Sequence, residues 1–271
     1  MARVTLGGGL RPPSDGRHPT SSGSSLPPPG SRSARAEPAL GAPIIRLGAV
    51  DSTQTHAATR AANGAADGTA VVAETQTAGK GRRGRVWHDI PGASLLMSLV
   101  VRSSLPVAQL PLLSIAAGVA VAEALSAIGV REPRLKWPND VLVDGRKIAG
   151  VLLERHGDAV ILGIGVNLDA RAIPAELRAQ ATCVAEAGGG PDRDALLAGV
   201  LDAFARWRGR LEGEGFEPVR ERWTSLADTL GKRVSVDGIV GIAEALDVDG
   251  ALLVATERGP SRVLAGDVVA G

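Results

Sequence analysis

Apolar positions in this chain begin in earnest only after residue 43, and from there they fall into short runs with strand spacing and long runs with helical spacing. The stretch "APIIRLGAVDST" (42–53) predicts a strand running into a helix that Asp51 or Ser52 caps. "GTAVVAETQ" (68–76) and the mostly apolar "SLLMSLVVR" (94–102) predict two further strands. "PVAQLPLLSIAAGVAVAEALSAIG" (106–129) carries apolar residues at helical spacing and ends on glycine, so it predicts a long core helix closed by Gly129. In "RLKWPNDVLVDGRKIAGVLLERHG" (134–157) the pair Asp144-Gly145 predicts a hairpin turn between strands, and Ala159 to Val166 predicts another buried strand. Residues 192–226 read as helical, with Trp207, Leu211, Phe216 and Trp223 as packing residues. The last stretch changes character: short valine-rich strands separated by Asp-Gly and Arg-Gly-Pro turns, the pattern of a small barrel. The pattern therefore predicts an α+β chain with two ordered domains, residues 44–226 and 227–271.

Composition adds a third segment. Residues 1–43 are rich in Pro, Gly, Ser and Arg, as in "RPPSDGRHPTSSGSSLPPPGSRSARAEP", and bury too little apolar surface to offset their ordering entropy. They are expected to form a disordered tail. The rest of the 271-residue chain, 44% hydrophobic and 22% charged overall, is sufficient for a sizeable core. A net charge of +1 advertises neither nucleic acid nor an anionic membrane, so any electrostatic function lies in local clusters. No membrane span is expected, because Ser114, Gly118 and Glu123 interrupt the longest apolar run. One cysteine, Cys183, forms no internal disulfide, four scattered histidines show no metal-ligand spacing, and a cytoplasmic setting is expected.

One local cluster stands out. "AGKGRRGRVW" (78–87) interleaves glycines with Lys80, Arg82, Arg83 and Arg85 directly before an apolar strand. Glycines free the backbone to present N–H groups, and guanidinium groups hold oxyanions, so the loop suits a phosphate or a carboxylate. Composition alone leaves a solvated basic loop equally open. The loop matches neither G-x-G-x-x-G nor the G-x-x-x-x-G-K-[ST] phosphate loop, which disfavours the ordinary nucleotide folds.

Five stretches in one order decide further: "DST" (51–53), "QTAGKGRRGRVW" (76–87), "KWPND" (136–140), "GRKIAGVLLE" (145–154) and "GIGVNL" (163–168). Together they resemble a biotin protein ligase, from about Ile44 to the C-terminus, of the type without an N-terminal DNA-binding domain. The resemblance implies a mixed β-sheet with helices packed on one face, followed by a small SH3-like β-barrel. It implies a reaction that joins biotin and ATP into biotinyl-5'-AMP and then passes biotin to one lysine of the biotin carboxyl carrier domain of an acyl-CoA carboxylase.

Carried onto this chain, the resemblance makes Lys147 and Arg82 the catalytic cations, with Lys147 between the biotin carboxylate and the α-phosphate. Ser52, Thr53, Gln54, Gln76, Lys80 and Gly81 join Arg82 and Lys147 around biotin, and Gly150 and Gly163 allow the backbone to approach the ring. Arg82, Arg85, Trp87, Lys136, Asn139 and Asn167 fall to ATP, and Asp140 to Mg²⁺. Blander readings exist for several of these: Ser52 as a helix cap, Lys147 as an exposed hairpin lysine, Trp87 as core packing, Gly150 and Gly163 as bulges, Asn167 as a turn-former. Gln54 stands where the family often has Asn, and Lys80 where the commoner form has Arg, which keeps charge and loses a planar bidentate donor. The loop is expected to close as a lid over the adenylate. Lipoate or octanoate ligation and a biotin-responsive DNA-binding repressor are the rival readings. Residues 1–43 lack the helical periodicity of a winged-helix module, so no nucleic-acid partner is expected; the chain is expected to be a monomer or a weak homodimer.

Overall fold

A computed structural model of the chain describes residues 40–270. Most of the expected tail lies outside the described residues; of its last four positions, Leu40 packs against the core and Gly41 N donates to Gly68 O at 2.7 Å.

A seven-stranded sheet is built from β1 (Ile44–Val50), β2 (Ala70–Gln76), β3 (Ser94–Val101), β4 (Arg134–Lys136), β5 (Asp140–Val143), β6 (Arg146–His156) and β7 (Ala159–Asn167). Its order is β1-β2-β3-β7-β6-β5-β4, with β1 parallel to β2 and every other neighbour antiparallel. Period-2 alternation sends two sets of side chains to opposite faces. Val72, Leu99, Val101, Val160 and Leu162 join the main core with α2 (Leu112–Ala127), α3 (Arg193–Glu214) and α4 (Glu217–Leu226). Val71, Val100 and Ile161 point the other way, onto Ala57 and Ala61 of the short helix α1 (Thr53–Ala62). The three later helices thus share one face, and α1 lies across the face that carries the candidate site.

Local chemistry explains the element ends. Ser52 caps α1, its Oγ accepting from Gln54 N at 3.2 Å, and Asp192 caps α3 through bonds of 3.0 Å from Asp194 N and Ala195 N. Asp144 and Gly145 both have positive φ, 50° and 73°, as a type I′ hairpin turn between β5 and β6 requires. The helical stretch 192–226 is two helices, because the chain turns at Gly215 with φ of 86°. The stretch Val107–Ala127, which contains α2, is long and apolar enough to cross a membrane by length and composition alone, yet α2 is buried almost all round inside this fold.

The C-terminal stretch forms a five-stranded antiparallel sheet, order β11-β10-β9-β8-β12, from β8 (Arg233–Val236), β9 (Ile239–Leu246), β10 (Leu252–Thr256), β11 (Gly259–Val263) and β12 (Val269–Ala270). It docks on the stretch that holds "KWPND". Leu135 bridges to Ala227, Trp137 N donates to Thr229 Oγ1 at 2.9 Å, and the buried Trp137 indole donates to Gly250 O at 3.0 Å.

A charged network ties α3 to the far end of β3. Arg208 reaches Asp67 Oδ2 at 2.8 Å, Glu212 Oε1 at 3.1 Å and Arg102 O at 2.8 Å, while Arg102 N donates to Asp67 Oδ1 at 2.7 Å. Because Arg208 is largely buried, removing it strands two carboxylates. Arg208→Met is expected to lower stability by about 2–3 kcal/mol and Tm by about 5–10 °C. A calorimetric Tm equal to that of the parent would show that the network contributes nothing net.

Candidate active site

The site lies on the α1 face of the sheet, and a β-bulge creates its central feature. Register shifts between Val141 and Leu142, so that Val141 pairs Ala149 while Leu142 pairs Lys147, leaving Ile148 as the extra residue. Ile148 and Ala149 both turn into the main core, and Lys147 and Gly150 both turn to the site. Without the bulge, strict alternation would place Lys147 on the core side. Its backbone is fixed from the flank as well, Lys147 N donating to Gln180 O and Thr182 N to Lys147 O, at 2.8 and 2.9 Å.

Three glycines clear the sheet around this lysine. Gly150 pairs with Gly165, and Gly163 lies opposite both Ser98 and Leu152. A Cβ on Gly165 would stand 2.6 Å from Trp87 Cε2, and one on Gly150 would stand 3.0 Å from the Lys147 ammonium. A Cβ on Gly163 would meet Gln54 Oε1 at 2.6 Å, so its bareness also accommodates the Gln54 carboxamide.

Two pockets adjoin. The first, of about 470 Å³, is lined at its polar end by Ser52, Thr53, Gln54, Gln76 and Ser98, and at its cationic end by Lys80, Arg82 and Lys147. The second, about 460 Å³, has an apolar wall of Ala172, Ile173, Pro174, Leu177 and Ala181, with Asn167 at its edge. Lys147 and Trp87 line both, and the Lys147 ammonium sits 5.6 Å from the indole centroid. Asp140 Oδ1 holds that ammonium at 2.7 Å.

The polar end is an ordered network. Gln76 Oε1 accepts from Thr53 N at 2.7 Å and from Thr53 Oγ1 at 3.0 Å. Gln54 Nε2 donates to Ile161 O at 3.1 Å, which aims Gln54 Oε1 at the pocket. Ser52 is both cap and lining, since its Oγ accepts from Gln54 N and borders the pocket.

The basic loop is folded rather than slack. Lys80 bridges Val86, Gly81 N donates to Arg85 O at 2.7 Å, and Arg83 adopts φ of 56° within a 3-10 turn over Arg82–Gly84. Its guanidinium groups are tied to the C-terminal sheet. Arg82 donates to Asn139 Oδ1 at 2.9 Å and Gly266 O at 3.3 Å and stands 3.7 Å from Asp267; Arg85 pairs with Asp267 at 2.6 Å. Arg83 makes a bidentate pair with Asp237, at 2.9 and 2.6 Å. Burial pulls the Arg82 guanidinium below its ordinary value against the opposing pull of Asp267 and Asp140, and the Arg83 hydrogen bond holds the Asp237 carboxyl below the usual range.

Of the residues expected around biotin, Ser52, Thr53, Gln54, Gln76, Lys80, Gly81, Arg82, Lys147, Gly150 and Gly163 all line the first pocket. Those expected around ATP divide. Trp87 and Asn167 border the second pocket, Asn167 Nδ2 donating to Thr182 O at 3.0 Å, whereas Arg85 and Lys136 line neither. Asn139 holds Arg82, with its own amide nitrogen donating to Val151 O at 2.8 Å. Sequence reasoning passed over Ser98, Gly165, Asp237, Asp267 and the apolar wall of the second pocket. Only Ser98 left a signal, as one of two serines at same-face positions, with Ser94, in an otherwise apolar strand.

Relatives locate this arrangement. Residues 47–169 match the biotin/lipoate A/B protein ligase family, and residues 229–271 match the biotin protein ligase C terminal domain. The biotin--[acetyl-CoA-carboxylase] ligase of Paracoccus denitrificans is 37% identical over 243 residues, which cover 83% of this chain and 99% of that protein. The bifunctional ligase/repressor BirA of Bacillus subtilis is 34% identical over 244 residues, 86% of this chain and 75% of its own. The structure of the biotin protein ligase from Aquifex aeolicus in complex with biotin and ATP superposes with a TM-score of 0.77 at 34% identity, covering 84% of this chain and 98% of that one. On the strength of this shared sequence and fold, the chain belongs to the biotin protein ligase family.

Proposed function

We propose that the chain activates biotin with ATP and transfers it to a lysine of a biotin carboxyl carrier domain of an acyl-CoA carboxylase. The observation that carries this reading is the position of Lys147 in the wall common to the two pockets. One pocket offers hydroxyl and amide oxygens suited to the N–H groups of a ureido ring, and the other a flat apolar wall suited to adenine. Two anions, the biotin carboxylate and the α-phosphate, then meet beside one ammonium.

In the first step a carboxylate oxygen forms a bond to the α-phosphorus, the bond from that phosphorus to the bridging β-phosphate oxygen breaks, and pyrophosphate leaves with the electron pair. Lys147 neutralises the charge that gathers on the phosphoryl oxygens. Asp140 holds the ammonium until the anions arrive, and Arg82 adds a second cation from the loop. In the second step the carrier amine attacks the acyl carbon, the carbon–oxygen bond to AMP breaks, and the amine proton passes to solvent. The loop over residues 77–92 shields the mixed anhydride from water between the steps.

Mg²⁺ fits as a companion of the triphosphate. Among the described residues no group of three acidic, His or Cys side chains could cage an ion, but Asp140 offers the one carboxylate such a site commonly needs beside substrate phosphates. When bound, the ion would neutralise phosphate charge. The single thiol, Cys183, is buried and free, which suits a cytoplasmic enzyme.

Mass spectrometry of a purified carrier domain tests the reading. The acceptor lysine is expected to gain a biotinyl group only with enzyme, ATP, Mg²⁺ and biotin together, and to gain nothing when lipoate or octanoate replaces biotin. Modification by lipoate, or none by biotin, would contradict it.

A further inference from the structure

The arginines of the basic loop all end on residues of the C-terminal sheet, but they do not all belong to the site. Arg82 and Arg85 converge on Asp267, and the resemblance gives both of them to the ligands. Arg83 is different: neither it nor its partner Asp237 lines either pocket, and the resemblance assigns it to neither biotin nor ATP.

The Arg83–Asp237 pair joins two tips. Arg83 lies inside the 3-10 turn over Arg82–Gly84 with φ of 56°, and Asp237 opens the Asp237-Gly238 turn between β8 and β9, where φ is 47° and 87°. Asp-Gly is a preferred sequence for such a hairpin, which accounts for the Asp237 backbone and leaves its charge unexplained. Arginine at positive φ is uncommon, and nothing local favours it here. What the conformation achieves is a fork-to-fork contact across 154 positions, Arg83 donating to both Asp237 oxygens at 2.9 and 2.6 Å.

We infer that Asp237 is a positioning residue for adenylate retention: through Arg83 it holds the tip of the basic loop against the C-terminal sheet, and so slows the opening that releases biotinyl-5'-AMP. This rests on the biotin reading given above. The effect is modest, because both side chains are 48% exposed and exposed ion pairs contribute little. It is also separable, since the pair lies outside both pockets. Weakening it shortens the time the loop stays shut and leaves the groups that meet the reactants in place.

Full-length parent, Asp237→Asn, Arg83→Gln and the double variant are loaded with labelled biotin, ATP and Mg²⁺, and escape of the labelled adenylate is followed in a chase with excess unlabelled biotinyl-5'-AMP. Asparagine keeps the turn, since Asn-Gly suits it as well as Asp-Gly. Each single variant is expected to release the adenylate about two- to fivefold faster than the parent, the range of one exposed pair. The double variant is expected to release it no faster than either single, as two residues acting as one unit require. First-turnover pyrophosphate release is expected to stay within about twofold, and amide hydrogen exchange over residues 79–86 of the ligand-free protein to quicken in the same variants. A double variant whose effect is the product of the two singles overturns the inference, as does a parallel fall in pyrophosphate release, which would place Asp237 in support of the pockets and not of the loop. Adenylate held equally long by all the proteins sinks the inference alone. A parent that forms no adenylate from biotin sinks the functional reading, and the inference with it.

Discussion

Lys147→Ala is expected to reduce biotin-dependent pyrophosphate release by about a thousandfold, while Tm moves by no more than a few degrees. The size of the loss follows from position. The ammonium is the cation at the junction of the two pockets, where two anionic reactants must approach within bonding distance, and deleting one preorganised electrostatic partner of a transition state costs about 10²–10³ in rate. The small stability effect follows from partners: Lys147 contacts Asp140 and the Trp87 face, its side chain is 34% exposed, and Asp140 retains some access to water. Lys147→Arg is expected to recover little, because a planar guanidinium is broader than an ammonium that sits 3.0 Å from the Cβ position of Gly150. Pyrophosphate release by Lys147→Ala within a few-fold of the parent would remove Lys147 from the chemistry.

The second large effect is a change of product destination. Arg82→Gly is expected to let biotinyl-5'-AMP escape, so that lysines on an unrelated protein such as albumin become labelled. In the folded loop Arg82 reaches Asn139 Oδ1, Gly266 O and Asp267, three points on two different parts of the fold, and glycine keeps none of them. The substitution also adds backbone freedom to a segment that already holds Gly79, Gly81 and Gly84. Losing one charged hydrogen bond costs about 1.5–3 kcal/mol, enough to raise the open population about tenfold or more. Adenylate synthesis is expected to fall less than adenylate retention. Streptavidin blotting of albumin incubated with mutant or parent, ATP and biotin provides the comparison. Unlabelled albumin alongside normal carrier biotinylation would mean that the loop's basic residues serve carrier docking and not retention.

How much of this was visible in the chain depends on the range of the forces involved. The Asp144-Gly145 turn, the Ser52 cap and the alternating strands are set by sterics and hydrogen bonds within a few residues, and periodicity conveys them directly. The residues that the resemblance assigns to biotin all line the first pocket. The loop was legible as basic and glycine-rich but not as pinned, because Arg83 meets Asp237 across 154 positions and Arg82 meets Gly266 across 184. Pairings at such separation leave no periodic trace. The resemblance also gave Arg85 and Lys136 to ATP; in the fold Arg85 pairs with Asp267 and Lys136 lines neither pocket. Ser98 left only the same-face spacing of two serines, because within a strand whose eight residues are all buried alternation no longer separates a core face from a site face.

The extra residue in β6 stores part of the active site as a count. Three positions separate Lys147 from Gly150, an odd interval that in an unbroken strand would put the two on opposite faces, and Ile148 absorbs the difference. Deleting Ile148 would cut that interval to two, so that a regular strand without the bulge would keep Lys147 and Gly150 on one face. A scan that changes side chains one at a time would score Ile148 only as a core residue. Its second meaning, parity, is readable solely by insertion and deletion, so the tolerance of this strand to changes in length is a measure of its function that tolerance to changes in identity does not contain.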